Sequence, residues 1–153
     1  MTKTASYTLL LRQLESILSM ETDPVANMSN MAAVLFHGLS QINWAGFYVL
    51  REHTLVLGPF QGNPACVRIP LGKGVCGTSA QTGQTQLVAN VHQFAGHIAC
   101  DSASNSEIVV PVFKDGQVWG VLDIDSPQLG RFDQDDQSNL EQAVQLFIQN
   151  TRL

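Results

Sequence analysis

The sequence predicts an α+β domain, with a central, mostly antiparallel sheet and helices packed on one face. Three observations carry this. Apolar residues recur at helical spacing near both ends of the chain. Between them lie short β-branched and aromatic runs punctuated by glycine and proline. The clearest pair of runs, 108–113 and 118–125, is joined by Lys114-Asp115-Gly116-Gln117, where Asp-Gly supplies the two positive-φ residues of a tight hairpin.

Each element has its own signal. Tyr7, Leu10, Leu11, Leu14, Ile17 and Leu18 form one apolar stripe of a first helix. Asp23-Pro24 starts a second, an N-cap followed by proline at the first helical position. Its expected buried stripe is Val25, Met28, Ala32, Leu35 and Leu39, with methionine as core filler. Residues 44–50 and 54–60 read as a hairpin across Arg51-Glu52-His53, and 66–70 as a short third strand. Gly72, Gly74 and Gly77 punctuate a loop into a short helix over 75–81, and 86–89 reads as another short strand. The last helix starts at Asp133, with Asp135 and Asp136 facing the positive end of its dipole and Leu140, Val144, Phe147 and Ile148 buried. There is no repeat, linker or low-complexity tract, so residues 1–153 are expected to form one domain.

Composition narrows the function. With 44% apolar and 14% charged residues, the chain reads as an ordinary soluble globule. A net charge of -5, with only 8 scattered Lys and Arg, supplies no basic patch for a nucleic-acid backbone. Tyr7 to Met20 lacks the solid apolar core of a signal peptide, and no run approaches the roughly 20 residues that cross a bilayer. A cytoplasmic location is therefore expected. Cys66, Cys76 and Cys100 are too few for a secreted disulfide scaffold. They form no CxxC pair and share no ligand spacing with the four histidines, so no metal is expected. Gly72-Lys73-Gly74-Val75-Cys76-Gly77 lacks the spacing of a phosphate loop.

The chemistry is expected around Cys100. It sits in a polar, small-residue loop, 96–107, that runs directly into an apolar strand. Asp101 opposes thiolate formation, and a protonated His97 folded back on the thiol would offset it. Cys66 and Cys76 are both candidate partners, since a disulfide needs Cα atoms within about 7 Å and spacing cannot show that. Cys66, after Gly62-Asn63-Pro64, is favoured over Cys76 in its glycine-flanked turn.

Asp123 and Asp125 alternate with Leu122 and Ile124, so two acids interrupt a core strand and share one face about 7 Å apart. A buried acid needs a partner, and a ligand ammonium would serve. Glu107 is harder to place. An unbroken two-residue hairpin pairs it with Ile124, facing away from both aspartates. The three acids converge only with a one-residue bulge, a different turn, or Glu107 lying ahead of the strand. Trp44 and Tyr48 share one strand face, as core or as the wall of a pocket suited to methyl groups and sulfur.

The runs Ile42-Asn43-Trp44-Ala45-Gly46-Phe47-Tyr48, Gly58-Pro59-Phe60-Gln61-Gly62, Ala65-Cys66-Val67-Arg68-Ile69-Pro70, Gly74-Val75-Cys76-Gly77, His97-Ile98-Ala99-Cys100-Asp101 and Gly120-Val121-Leu122-Asp123-Ile124-Asp125-Ser126 together resemble the free methionine-(R)-sulfoxide reductases, which are single GAF domains. The resemblance implies Cys100 as catalytic thiol, Cys66 as resolving thiol and Cys76 as an auxiliary one. It implies Trp44 against the substrate methyl group, with Glu107, Asp123 and Asp125 binding the ammonium and polarising the sulfoxide. It further implies no cofactor and thioredoxin as reductant. The assembly stays open, a homodimer included. A GAF module that binds a small ligand or senses oxidant without turnover is the alternative.

Overall fold

The computed structural model describes residues 1–98, 100 and 102–153. Thr2 caps α1 (Lys3–Leu18) by accepting from Ala5 N, and the helix buries Tyr7, Leu10, Leu14 and Leu18. Asp23 caps α2 (Pro24–Gly38), which has proline in its first turn as expected. The buried face of α2 carries Asn27, Met28, Met31, Ala32 and Leu35. Val25, expected in that stripe, is 61% exposed. At 100° per residue it lies about 90° from the middle of the buried face.

Six antiparallel strands follow the order β3-β2-β1-β6-β5-β4. They are β1 (Trp44–Arg51), β2 (Thr54–Gly62), β3 (Arg68–Pro70), β4 (Gln86–Val88), β5 (Ser106–Lys114) and β6 (Gln117–Ser126). The third strand begins at Arg68 rather than Cys66, which leaves Cys66 in the preceding loop. A single 3-10 turn at Val91–Gln93, capped by Asn90, had no clear periodicity in the sequence. The short helix is α3 (Gly74–Thr82), and α4 (Gln134–Asn150) closes the chain. Among the described residues no helix is long and apolar enough to cross a membrane.

The sheet separates two cores. The three long helices cover one face, packing Leu14, Leu35 and Phe147 against Phe47, Ile108, Leu122 and Ile124. The short α3 lies against the other face, with Val75, Cys76 and Ala80 beside Trp44, Tyr48, Val109 and Val121. That second, thinner cover is where the polar residues collect. Asp136 locks the helical side: fully buried, it accepts from Tyr7 Oη at 2.6 Å and pairs with Lys3 at 2.8 Å and Arg131 at 3.2 Å. It also completes the capping box of α4 with Asp133.

One irregularity sets the register of the β5–β6 hairpin. Asp115 and Gly116 both have positive φ, as a tight Asp-Gly turn requires. Phe113 pairs with Val118, but Val112 pairs with Gly120, so Trp119 is an extra residue in β6. This β-bulge turns Trp119 towards the helical core, 6.1 Å from the Phe147 ring. Beyond it Glu107 pairs with Asp125 instead of Ile124. Of the arrangements the sequence allowed, the one-residue bulge is the one found. Gly120 permits close approach at the same place, since a Cβ there would strike the Tyr48 carbonyl oxygen.

Candidate functional site

Three central strands place the site in rows. Trp44 on β1 pairs with Asp125 on β6, which pairs with Glu107 on β5. In the next row Gly46 pairs with Asp123, and Asp123 with Val109. Alternation puts Trp44, Glu107, Asp123 and Asp125 on the face covered by α3. Tyr48 completes that face two residues beyond Gly46.

Gly46 leaves the space through which the Trp44 ring crosses. A Cβ at this position would lie 2.8 Å from both Trp44 Cη2 and the Phe60 backbone. Without it, Trp44 stacks between Tyr48, at 6.0 Å, and Phe60, at 5.2 Å. Its indole N–H donates to the Asn63 carbonyl at 3.0 Å, and Tyr48 Oη donates to the Cys66 carbonyl at 2.8 Å. The aromatic wall thus also fixes the loop that carries Cys66. Replacing Gly46 with Ala should cost about 1–3 kcal/mol of stability by overpacking. Urea unfolding combined with tryptophan fluorescence would measure it; an unchanged midpoint and spectrum would remove Gly46 from this role.

The floor is acidic. Glu107 is 8% and Asp123 5% exposed, and the Cys76 thiol lies 3.9 Å from Glu107 Oε2. Burial pushes the Glu107, Asp123 and Asp125 carboxyls well above the usual carboxylate range, and their mutual repulsion adds to it. Burial, followed by the Asp123 and Glu107 charges, raises the Cys76 thiol too, so that thiol stays protonated. Oδ1 of Asp123 and Oδ1 of Asp125 are buried with no hydrogen-bond partner among the described residues. Such oxygens call for a cationic or proton-sharing group. Cys76 Sγ and one oxygen each of Glu107 and Asp123 lie within 4.8 Å of one another, a spacing a metal ion or an ammonium group would fit. No histidine joins them there.

The roof is redox-active in form. Cys66 and Cys100 are joined by a disulfide, with Cα atoms 5.4 Å apart. Cys76 remains a buried free thiol. Below the disulfide is a cavity of about 40 Å³, with Trp44, Tyr48, Cys76, Glu107, Asp123 and Asp125 in its walls. Cys100, His97, Ile98 and Lys73 also line it. Burial and the nearby His92 lower the His97 pKa, so His97 is neutral and supplies no positive charge to the thiol. Asp101, the opposing charge, lies outside the described residues.

The structure therefore brings all eight candidate residues to one place. Two polar partners had escaped notice. Asn43 Nδ2 donates to Ser104 Oγ at 3.2 Å, and Ser104 Oγ donates to Asp125 Oδ2 at 3.5 Å. Ser104 follows Cys100 by four residues, so this link ties the cysteine loop to the acidic floor. A serine among Ser102, Ser104 and Ser106 carried no pattern that distinguished it.

Comparison with known proteins agrees with this architecture. A family model for the GAF domain matches residues 13–149. The free methionine-R-sulfoxide reductase of Escherichia coli (strain K12) is 53% identical over 144 residues, spanning 94% of this chain and 87% of that protein. The structure of fRMsr of Staphylococcus aureus in complex with substrate superposes with a TM-score of 0.90 at 55% identity, covering 94% of each chain. The free methionine-R-sulfoxide reductase of Neisseria meningitidis, also with its substrate, gives a TM-score of 0.95 at 45% identity, covering 98% of this chain and 90% of that one. The chain belongs to the GAF-domain family, among the free methionine-R-sulfoxide reductases.

Proposed function

We propose that this chain reduces free L-methionine-(R)-S-oxide to L-methionine. The observation that carries the proposal is the Cys66–Cys100 disulfide, closed over a cavity floored by buried Glu107 and Asp123 and half-buried Asp125 and walled by Trp44. In the reduced protein the Cys100 thiolate attacks the sulfoxide sulfur. The oxygen leaves sulfur only if it is protonated or strongly hydrogen-bonded, and a carboxyl held above its usual pKa is the donor for that. The attack forms an S–S bond to the substrate, and the protonated oxygen leaves as water. Water then attacks Cys100 Sγ, that S–S bond breaks, methionine departs and Cys100 is left as a sulfenic acid. The Cys66 thiol condenses with it, releasing water and forming the disulfide. A dithiol then returns both thiols at the cost of its own oxidation. No cofactor enters these steps.

Roles follow position. Asp125 faces Glu107 across the strand pair and is linked through Ser104 to the Cys100 loop, so these two acids hold the sulfoxide oxygen. Asp123, beside Gly46 and Cys76, takes the ammonium group. Trp44 and Tyr48 pack the S-methyl end. A closed cavity floored by carboxyls favours the free amino acid, because a peptide-bound residue offers no ammonium group to them. Thioredoxin is the proposed reductant and the cytoplasm the proposed setting, with residues 1–153 acting as one domain.

The test counts thiols. Adding one equivalent of free methionine (R)-sulfoxide to the reduced protein should remove two thiols per chain and release one methionine, while the (S) form does neither. Binding with all thiols retained would mark a ligand-sensing GAF module. Thiol loss to peroxide with no preference between diastereomers would mark an oxidant sensor.

A further inference from the structure

The disulfide has two distinct sides. Cys100 and Ala65 line the cavity beneath it, whereas Cys66 lies in the loop ahead of β3, packed against the cluster of Trp44, Tyr48 and Cys76. Both disulfide cysteines are part-exposed. The residue after Cys66, Val67, is 62% exposed, and Ile98, two before Cys100, is 37% exposed. Few large apolar side chains are this open on the surface, and two of them flank one disulfide. Across a Cα separation of 5.4 Å, chain geometry keeps Val67 and Ile98 within about 17 Å of each other. That span fits inside a transient redox contact, which buries less than roughly 1,200 Å² in total.

Among the described residues, charge at this patch runs against that of the molecule. The chain carries -5 overall and has 8 Lys and Arg. Two of these, Arg68 and Lys73, are exposed beside Val67 and Ile98 respectively: Arg68 follows Val67 in sequence, and Lys73 lines the same cavity as Ile98. Among the described residues neither forms an ion pair, in contrast to Lys3 and Arg131. The Val67 backbone is held, its carbonyl accepting from Leu57 N at 2.9 Å, while its side chain is left in solvent.

We propose that Val67, Arg68 and Ile98 form the docking surface for a disulfide-reducing protein whose reactive thiol is ringed by apolar and acidic groups. The inference rests on the reductase reading above and adds where the reductant binds and which sulfur it meets. The docked thiolate attacks Cys66 Sγ, the sulfur of the cysteine that does not line the cavity. The Cys66–Cys100 bond breaks, a mixed disulfide forms at Cys66, and Cys100 leaves as the thiolate the next cycle needs. The reductant's second thiol then displaces Cys66, which takes up a proton, and the reductant is left as a disulfide. Attack from this side regenerates the nucleophile without anything entering the cavity. A positive rim also steers an acidic partner, which raises the association rate at low salt.

Val67→Asp and Arg68→Glu test this, since neither side chain lines the cavity. Turnover of free methionine (R)-sulfoxide is measured with bacterial thioredoxin, thioredoxin reductase and NADPH, and separately with dithiothreitol. Each variant should lose about tenfold or more in kcat/KM for thioredoxin. Rates with dithiothreitol and the KM for the sulfoxide should stay within about twofold of the unaltered protein. Salt should weaken the reaction with thioredoxin in the unaltered protein and much less in Arg68→Glu. Equal thioredoxin rates in the variants and the unaltered protein would overturn the docking surface, as would an unaltered protein that turns over with dithiothreitol but not with thioredoxin. Equal losses with both reductants would overturn it too, pointing to damage at the cavity. Failure of the unaltered protein to turn over even with dithiothreitol would instead overturn the reductase reading.

Discussion

Cys100→Ser should reduce sulfoxide-dependent NADPH oxidation by at least about a thousandfold, because a hydroxyl is a far weaker nucleophile than a thiolate at neutral pH. The geometry makes the expectation specific to this cysteine. Only Cys100, of the two disulfide partners, lines the cavity above the acids, and Cys76 is kept as a protonated thiol by burial. Cys66→Ser should behave differently. It should release one methionine per chain and then stall, leaving Cys100 as a sulfenic acid that dimedone captures. Cys76→Ser should retain both turnover and disulfide formation, with a KM changed only through its contact with Glu107. Mass spectrometry of the dimedone adduct, set beside methionine release, separates the three. Sustained turnover in Cys100→Ser would remove position 100 from the mechanism, and a trapped sulfenic acid on Cys76 would reassign the nucleophile.

Much of this site was visible in the chain, and the reasons are physical. The acids at 123 and 125 stood out because a charged residue inside Val121-Leu122-Asp123-Ile124 contradicts a core strand unless something answers it. Strand period then placed both on one face without further information. Glu107 was ambiguous for a definite reason. Register follows from counting residues through a turn, and a bulge adds one residue that the count does not contain. Nothing in Val118-Trp119-Gly120 announces which residue is extra. It is decided by Trp119 reaching the Phe147 ring and by Gly120 giving room to the Tyr48 carbonyl, both contacts with distant segments. The charge of His97 was open for a related reason, since it depends on burial and on His92 rather than on its distance in sequence from Cys100. Val25 shows the same limit on a helix: its spacing suited the apolar stripe, but the middle of the buried face runs close to Leu35, about 90° away.

The two faces of the sheet divide the work. Long helices fill one side with aliphatic and aromatic packing and anchor it through the Asp136 network. The other side carries only α3 and loops, so a cavity and three clustered acids persist there. The stability of the first face carries the electrostatic cost of the second. Functional sites commonly trade stability in this way.

That cost leads to the second large effect. Glu107, Asp123 and Asp125 hold protons in the empty folded site that an unfolded chain would release near pH 4, so their stabilising contribution is complete below about pH 4 and fades as pH rises through the raised folded values. Stability of the unliganded protein should therefore fall as pH rises above about 4, and Asp123→Asn should flatten that slope in urea unfolding. The same protons are used in the reaction. Cys100 must be ionised and a carboxyl must be protonated, so kcat should rise and then fall with pH, the acid limb belonging to the thiol and the alkaline limb to the carboxyls. Asp125→Asn should lower kcat by about a hundredfold or more, with a smaller change in KM, and should abolish the alkaline limb while leaving the acid limb in place. Asp123→Asn should instead raise KM about tenfold or more, through the lost ammonium contact, with the bell retained. If the Asp125→Asn enzyme keeps a normal kcat and an intact alkaline limb, the proton comes from elsewhere, and the buried acids serve only to hold the substrate's charge.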